Sequence, residues 1–138
     1  MVHAEEPAVT IRGSCLCGGV TYEVTLPFEH FGHCHCSRCR KATGAAHASN
    51  AVIRADAFRW TGGTDLVARY DLPTARSFAT GFCRTCGSPL PHATRSGRSV
   101  IIPAGSLDAD PGQRPDRHAQ WGSRAPWHEH GEGLPVED

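Results

Sequence analysis

The sequence lacks an excess of charge of either sign. Its 14 lysines and arginines are balanced by 14 aspartates and glutamates, so the formal net charge is zero. Lys41 is the only lysine, and no polybasic run is present. Proteins that bind nucleic acid or anionic membrane surfaces need a basic patch, because they neutralise phosphate groups. The charge balance therefore argues against both kinds of partner.

Long apolar segments are also missing. No stretch approaches the roughly eighteen apolar residues that indicate a membrane-spanning helix. Residues 1–13, MVHAEEPAVTIRG, do not show the charged and then apolar segments of a secretory signal peptide. We therefore expect a cytoplasmic protein, in which thiols stay reduced. An odd total of seven cysteines also speaks against a secreted disulfide scaffold.

Few residues are available for a large hydrophobic core. Apolar residues make up 39% of the 138-residue chain, which also contains 15 glycines and 10 prolines. No long segment repeats apolar residues at the helical period of 3.6, so we predict one mostly β domain over residues 1–138. Residues 9–107 are expected to form its core. The polar tail, residues 108–138, contains Trp121 and Trp127, and such aromatics predict that it packs back on the core.

Turn-forming residues divide the chain into short predicted elements. Residues 9–26 alternate on either side of Gly18 and Gly19, which predicts a hairpin. Ser37 is predicted to cap a short helix that ends at Gly44. This helix is predicted to cover residues 37–42. The other predicted elements are an irregular segment at 28–31 and strands at 46–53, 58–61, 66–70, 76–82, 89–94 and 99–104.

Four cysteines form two pairs that are remote in sequence. Cys15 and Cys17 form a C-x-C pair, and Cys83 and Cys86 form a C-x-x-C pair. Each pair falls at a predicted turn, so two turns can supply two thiolates each to one ion. Because structural zinc takes four tetrahedral ligands, this spacing predicts a structural zinc that joins two hairpins. The alternative, a redox-active C-x-x-C, lacks the surrounding βαβ pattern.

The remaining three cysteines lie close together, in the run CHCSRC. Cys34, Cys36 and Cys39 can bind one ion, but three ligands do not complete a tetrahedron. A fourth ligand would come either from outside the protein or from a histidine, with candidates His33, His35 and His47. The spacing alone leaves an open site and a histidine-closed site equally favoured. A half-closed site of this kind is also expected to lose its metal more readily.

Five segments occur in an order that resembles a known family. They read SCLCGGVTYEV, CHCSRCRKATG, GFCRTCGSPL, AGSLD and HAQWGSRAPWHE. From about Ile11 to Trp127 the chain resembles the glutathione-dependent formaldehyde-activating family, also called Gfa or centromere-protein-V-like. This resemblance implies an Mss4-like fold, β-sheets stapled by zinc. It also implies a structural zinc on the four paired cysteines and a second zinc on the three-cysteine run that accepts a thiol.

The resemblance further implies a reaction, the joining of glutathione to formaldehyde to give S-hydroxymethylglutathione. This is a carbon–sulfur lyase reaction in reverse, and its partners are a small thiol and an aldehyde. The resemblance implies Cys34, Cys36 and Cys39 as the ligands of the catalytic zinc. Zinc coordination favours the thiolate form of a bound thiol. Arg40 and Lys41 are candidates for binding the carboxylates of an anionic thiol.

His47 departs from the resemblance, because relatives commonly carry an aromatic or apolar residue there. It is a candidate substrate-binding residue that could also carry a proton or simply pack. Three other possibilities remain open for the chain as a whole. It could be a lyase for a different thiol adduct, it could be a non-catalytic zinc-stabilised binding module, and it could be either a monomer or a homodimer.

Overall fold

The computed structural model describes residues 8–129, 131 and 133–138. Within these residues the chain forms short strands, one α-helix and several 3-10 turns, which confirms the predicted mostly β fold. The strands are β1 (Thr10–Ser14), β2 (Thr21–Thr25), β3 (His30–Cys34), β4 (Ala48–Arg54), β5 (Phe58–Gly62), β6 (Val67–Asp71), β7 (Ala79–Cys83), β8 (Pro89–Leu90), β9 (His92–Ala93), β10 (Ser99–Pro103) and β11 (His118–Ala119). The helix is α1 (Ser37–Thr43), and the 3-10 turns are Ala55–Ala57, Thr64–Leu66, Ala104–Ser106 and Trp121–Ser123. In this part of the chain no helix has the length and apolar character needed to cross a membrane.

The strands form three sheets. The first has the order β1-β2-β5, the central one β11-β3-β4-β10-β9, and the third β6-β7-β8. Strand pairing is antiparallel throughout the three sheets, except that β11 pairs with β3 in parallel. The two faces of the central sheet carry different groups of residues.

The larger hydrophobic core lies between the first sheet and one face of the central sheet. Successive side chains of a strand point to opposite faces, so every second residue enters this core. The buried residues that form it are Ile11, Tyr22, Val24, Phe28, Ala51, Ile53, Val100 and Ile102. A second and smaller cluster consists of Val20 and Leu90 together with two cysteines, Cys15 and Cys83. With so few apolar residues, this second cluster is where a metal crosslink would add most stability.

Helix α1 begins at Ser37, as predicted, but its capping residue differs from the prediction. The N-cap is Cys36 rather than Ser37, and its Sγ accepts a hydrogen bond from the Cys39 amide at 3.3 Å. The prediction that Ser37 caps the helix is therefore wrong, because a cysteine sulfur takes the role usually played by a hydroxyl. The helix ends as predicted at Gly44, which has a left-handed φ of 65° and donates from its amide to the Arg40 carbonyl at 2.8 Å.

Two other predictions differ from the structure in the strands. Residues 28–31 are not irregular throughout, because β3 begins at His30. The predicted strand at residues 89–94 is two short strands, β8 and β9, which are separated by Pro91. Proline has no amide to donate to a sheet, which accounts for the interruption.

Residues after 108 contact the central sheet at the edge formed by β3. The Asp116 amide donates to the Phe31 carbonyl at 3.0 Å, and the His35 amide donates to the Ala119 carbonyl at 2.9 Å. Ala125 is 1% exposed, whereas Trp127 is 67% exposed. Strand β11 thereby brings its own histidine beside the histidines that flank Cys34.

Candidate metal centre

The four paired cysteines come together between two turns. Cys15 and Cys17 follow β1, while Cys83 ends β7 and Cys86 lies in the turn after it. The Cys15 and Cys17 sulfurs are 3.6 Å apart, the Cys17 and Cys83 sulfurs are 3.9 Å apart, and all four lie within 4.8 Å of one another. A tetrahedral zinc with bonds of 2.3 Å spaces its sulfur ligands by about 3.8 Å. The four sulfurs therefore fit a tetrahedral metal ion.

Hydrogen bonds hold these sulfurs in position. The Val20 amide donates to Cys15 Sγ at 3.3 Å, and the Leu16 amide donates to Ser88 Oγ at 3.1 Å, which links the two turns. The Ser88 hydroxyl lies 3.3 Å from Cys86 Sγ. Hydrogen bonds from this hydroxyl and from the backbone lower the pKa of Cys86 to about 5. The turn therefore favours a thiolate, which is the form that binds metal.

The other three cysteines converge around the start of α1. Cys34 ends β3, Cys36 is the helix N-cap, and Cys39 lies in the first turn of the helix. Their sulfurs lie within 4.8 Å of one another. Burial opposes ionisation of Cys36, but hydrogen bonds from the Cys39 amide and the neighbouring thiols outweigh it and lower the pKa of Cys36. The pKa of Cys39 is instead raised, mainly by burial. These three residues could also hold a metal ion.

No histidine joins this three-cysteine group in the part of the chain that the structure describes. Among the described residues, the donor atoms that converge there are the three sulfurs alone. The alternation of β3 explains why His33 and His35 do not join it. Cys34 lines a cavity on one face of the central sheet, and its two histidine neighbours in sequence point to the other face.

A cavity of about 360 Å³ lies beside Cys34 and Cys39, between the central and third sheets. Its walls are largely apolar and include Ala48, Phe78, Phe82, Leu90 and Ile101, with Thr43, Asn50, Ser77, Thr80 and His92 as polar members. Among the residues that the structure describes, no aspartate, glutamate, lysine or arginine lines it. Burial, followed by the charge of Arg69, lowers the pKa of His92 to about 4, so this ring is neutral at pH 7.

The three candidate substrate-binding residues lie away from this cavity. Lys41 is exposed on α1, and Arg40 is half-buried with an Nε atom that has no hydrogen-bond partner. Neither belongs to the cavity lining. His47 instead borders a neighbouring groove that also includes Ser49 and Asp108.

The sequence did not predict a cluster of five histidines that the structure shows. His33, His35, His47, His118 and His128 lie close together on the core-side face of the central sheet, with ring centroids separated by 4.1 Å for the nearest pair. Burial and the neighbouring histidines lower the pKa of His33, and they lower that of His35 to about 4. The spacing of His33 and His35 by two residues was a signal that they share a face. The two histidines of the tail had no such signal, because the parallel pairing of β11 brings His118 there and the fold of the tail beyond β11 brings His128.

The fold and the two sites define a class of protein, a small β domain with one four-cysteine and one three-cysteine cluster that could each hold a metal ion. The model of the family described as glutathione-dependent formaldehyde-activating enzyme matches residues 10–123. The chain belongs to this family. A relative from Halomonas elongata is named as a candidate glutathione-dependent formaldehyde-activating enzyme. The two sequences are 30% identical over 124 residues, which cover 85% of this chain and 78% of the relative. A crystal structure of a Rhodobacter sphaeroides protein has a TM-score of 0.60 and 31% identity, and the match covers 76% of this chain and 98% of that one.

Proposed function

We propose that this protein is a zinc-dependent enzyme that adds a small thiol to formaldehyde or another aldehyde and catalyses the reverse reaction. The observation that carries this proposal is the three-sulfur group at the end of a cavity, with no fourth protein donor among the described residues. Family membership supports glutathione and formaldehyde as the reactants. The donor set fits zinc, since thiolates are among its preferred ligands.

The residues of the chain define where the reaction takes place. Cys34 and Cys39 border the cavity, so a thiol that enters it meets the metal-binding group directly. Cys34, Cys36 and Cys39 would hold a zinc ion there, and such an ion would favour the thiolate form of a bound thiol. The cavity walls beside the aldehyde are mainly apolar, and Asn50 offers a side-chain amide that can donate to the aldehyde oxygen.

The chemical step balances without an additional reactant. A sulfur lone pair forms the carbon–sulfur bond, and the carbonyl π electrons move to oxygen, which takes up a proton. The proton lost by the thiol is released to solvent. Reversal breaks the carbon–sulfur bond and returns the aldehyde and the thiol.

The four-cysteine group has a separate, structural role in this proposal. Cys15, Cys17, Cys83 and Cys86 form a closed set of ligands, so a zinc held by them has no position for a substrate. It crosslinks two turns as expected for an Mss4-like fold. Both sites need reduced thiols, which is consistent with a cytoplasmic protein.

A thiol adduct with less charge than glutathione is a second candidate substrate. Within the described part of the chain, the cavity beside Cys34 and Cys39 has no cationic lining residue to pair with carboxylates. Arg40 and Lys41 could contact carboxylates only outside this cavity. The same open site would then act as a lyase on a neutral thiol adduct.

The proposal is tested by measuring adduct formation and breakdown by NMR, with the protein and in buffer alone, because thiols also add to formaldehyde without a catalyst. Glutathione and the uncharged 2-mercaptoethanol should be compared as thiols. We expect acceleration by the wild-type protein and loss of it in Cys39→Ser, which removes one ligand of the second site. Ser37→Ala is the matched control, because it changes an exposed residue of the same helix that is not its N-cap.

The outcome separates the candidates. Faster reaction with glutathione supports the named activity, and a preference for 2-mercaptoethanol supports the neutral adduct. If the wild-type protein gives the buffer rate with both thiols, the catalytic proposal fails and a zinc-stabilised binding module remains.

A further inference from the structure

A cleft lined by arginines adjoins the cavity beside Cys34 and Cys39. It has a volume of about 300 Å³ and shares Ser77 and Phe78 with that cavity. The cavity and the cleft each reach the size of roughly 300–1,000 Å³ that is typical of small-molecule sites. Because they share a border, one ligand could place one part beside the three-cysteine group and another part in the cleft.

The cleft carries an excess of positive charge. Arg69, Arg76 and Arg95 line it, and among the described residues of its lining Asp71 is the one acidic member. Arg69 pairs with Asp71 at 3.2 Å. Arg76 and Arg95 take part in no ion pair within the described part of the chain. Since the whole chain has a formal net charge of zero, this excess is a local property of the cleft.

Backbone contacts hold two of these arginines at the cleft. The Arg95 guanidinium donates through Nη1 to the Arg76 carbonyl at 2.6 Å, and the Arg69 guanidinium donates through Nη1 to the Ala93 carbonyl at 2.8 Å. An arginine has five N–H donors, so both residues keep donors for a ligand. Like charges gathered in one small cleft repel one another, so a bound anion is favoured there.

The charge of the cleft reaches the neighbouring cavity. His92 lines the cavity, and after the larger effect of burial its pKa is lowered by the positive charge of Arg69. Asp71 acts on the same ring with a smaller effect of opposite sign. The arginine therefore lies near enough to influence charged groups of a ligand at the border between the cavity and the cleft.

We propose that Arg69, Arg76 and Arg95 bind carboxylate groups of the thiol substrate while its sulfur lies at the three-cysteine group. This inference rests on the proposed function, and it names the substrate class as a peptide-like thiol with free carboxylates, in contrast to the neutral adduct. Guanidinium groups suit this role because they bind carboxylates through paired hydrogen bonds. The uncharged cavity then receives the uncharged middle of the substrate, and the cleft receives a charged end.

The dimensions of such a substrate agree with this division. An extended peptide spans about 3.5 Å per residue, so a tripeptide of the glutathione type reaches roughly 10 Å from end to end. Its thiol is on the central residue and its carboxylates are at the two ends. The substrate can therefore extend from the cavity into the cleft that adjoins it at Ser77 and Phe78.

Esters of the substrate provide the test, because they keep the peptide and remove the charge of its carboxylates. Calorimetry measures binding of the thiol-free peptide γ-glutamyl-alanyl-glycine and of its diethyl ester. Turnover is measured with glutathione and with glutathione diethyl ester. We expect the wild-type protein to prefer the free acids about threefold to tenfold, in affinity and in KM, since exposed ion pairs are individually weak. The preference should decrease at high salt.

The variant Arg76→Gln/Arg95→Gln should lose most of this preference. Both positions are exposed, so the variant is expected to fold, and circular dichroism checks this. Arg54→Gln is the matched control, because it changes an exposed arginine that does not line the cleft and should keep the preference.

Two results would overturn the proposal. One is equal binding of the peptide and its diester by the wild-type protein, and the other is a preference that persists in the double variant. Binding and turnover also separate this inference from the proposed function. Peptide binding that depends on the arginines, without acceleration of the reaction, would support the carboxylate site and count against catalysis. Acceleration without an arginine-dependent preference would refute the carboxylate site alone.

Discussion

The two cysteine groups should contribute very differently to stability. Cys83 and Cys39 are both buried, at 0% and 8% exposure, so Cys83→Ser and Cys39→Ser place the same hydroxyl in similar surroundings. They differ in what the bound metal connects. Cys83 belongs to the group that joins two turns of different sheets, whereas Cys39 belongs to one continuous loop. We therefore expect Cys83→Ser to destabilise the protein more.

The expected difference follows from the lengths of the loops that each metal closes. Cys17 and Cys83, which share one group, are 66 residues apart in sequence. A crosslink over this distance restricts the unfolded chain by about 4 kcal/mol on the chain-entropy model. Cys34 and Cys39 are five residues apart in sequence, and the same model gives only about 2 kcal/mol. The difference of about 2 kcal/mol is a large part of the roughly 5–15 kcal/mol that stabilises a domain.

Urea unfolding followed by circular dichroism measures this difference, with zinc content determined in parallel. Each variant should lose one zinc per chain, and Cys83→Ser should have the lower free energy of unfolding. Its melting temperature should lie roughly 5–10 °C below that of Cys39→Ser. Equal destabilisation, or greater destabilisation by Cys39→Ser, would refute the assignment of a structural role to the four-cysteine group alone.

Two further predictions concern single residues. A Cβ at Gly63, where φ is +74°, would lie 1.9 Å from the Gly19 carbonyl oxygen, so Gly63→Ala should cost about 2 kcal/mol or more in thermal or urea unfolding. Gly44→Ala, with φ of +65° and open space around it, should cost only about 1 kcal/mol, and equal losses would contradict the steric argument. Folding lowers the pKa of His92 from 6.5 to about 4, so as the pH falls through this range the unfolded chain binds a proton at His92 and the folded protein does not. The wild-type protein should therefore lose stability between pH 6.5 and pH 4. The His92→Gln variant has no imidazole to protonate, so its free energy of unfolding should fall by about 1–3 kcal/mol less than that of the wild type over this range. Identical pH profiles of the two proteins in urea unfolding would contradict this prediction.

The turn chemistry of the chain accounts for much of the fold that could be predicted. Short alternating segments separated by glycine and proline indicated a β protein, and Gly44 correctly marked the end of α1. The predictions failed where the structure uses a hydrogen-bond partner or a strand pairing that the local sequence does not indicate. Ser37 is the commoner capping residue, but the sulfur of Cys36 takes that role in the structure. The start of β3 was missed because its pairing depends on β4, which lies fourteen or more residues further along the chain.

The sequence by itself determined which cysteines can act together. Spacing of one or two residues brings ligands onto one turn, so the division into a group of four and a group of three needed no structure. Only the tertiary structure decided the surroundings of these groups. The alternation of β3 places Cys34 toward an uncharged cavity and His33 and His35 toward the opposite face. The parallel pairing of β11 then adds His118, which lies 83 residues beyond His35 in the sequence. Contacts at such separations depend on how sheets and tail pack, and local sequence does not encode that information.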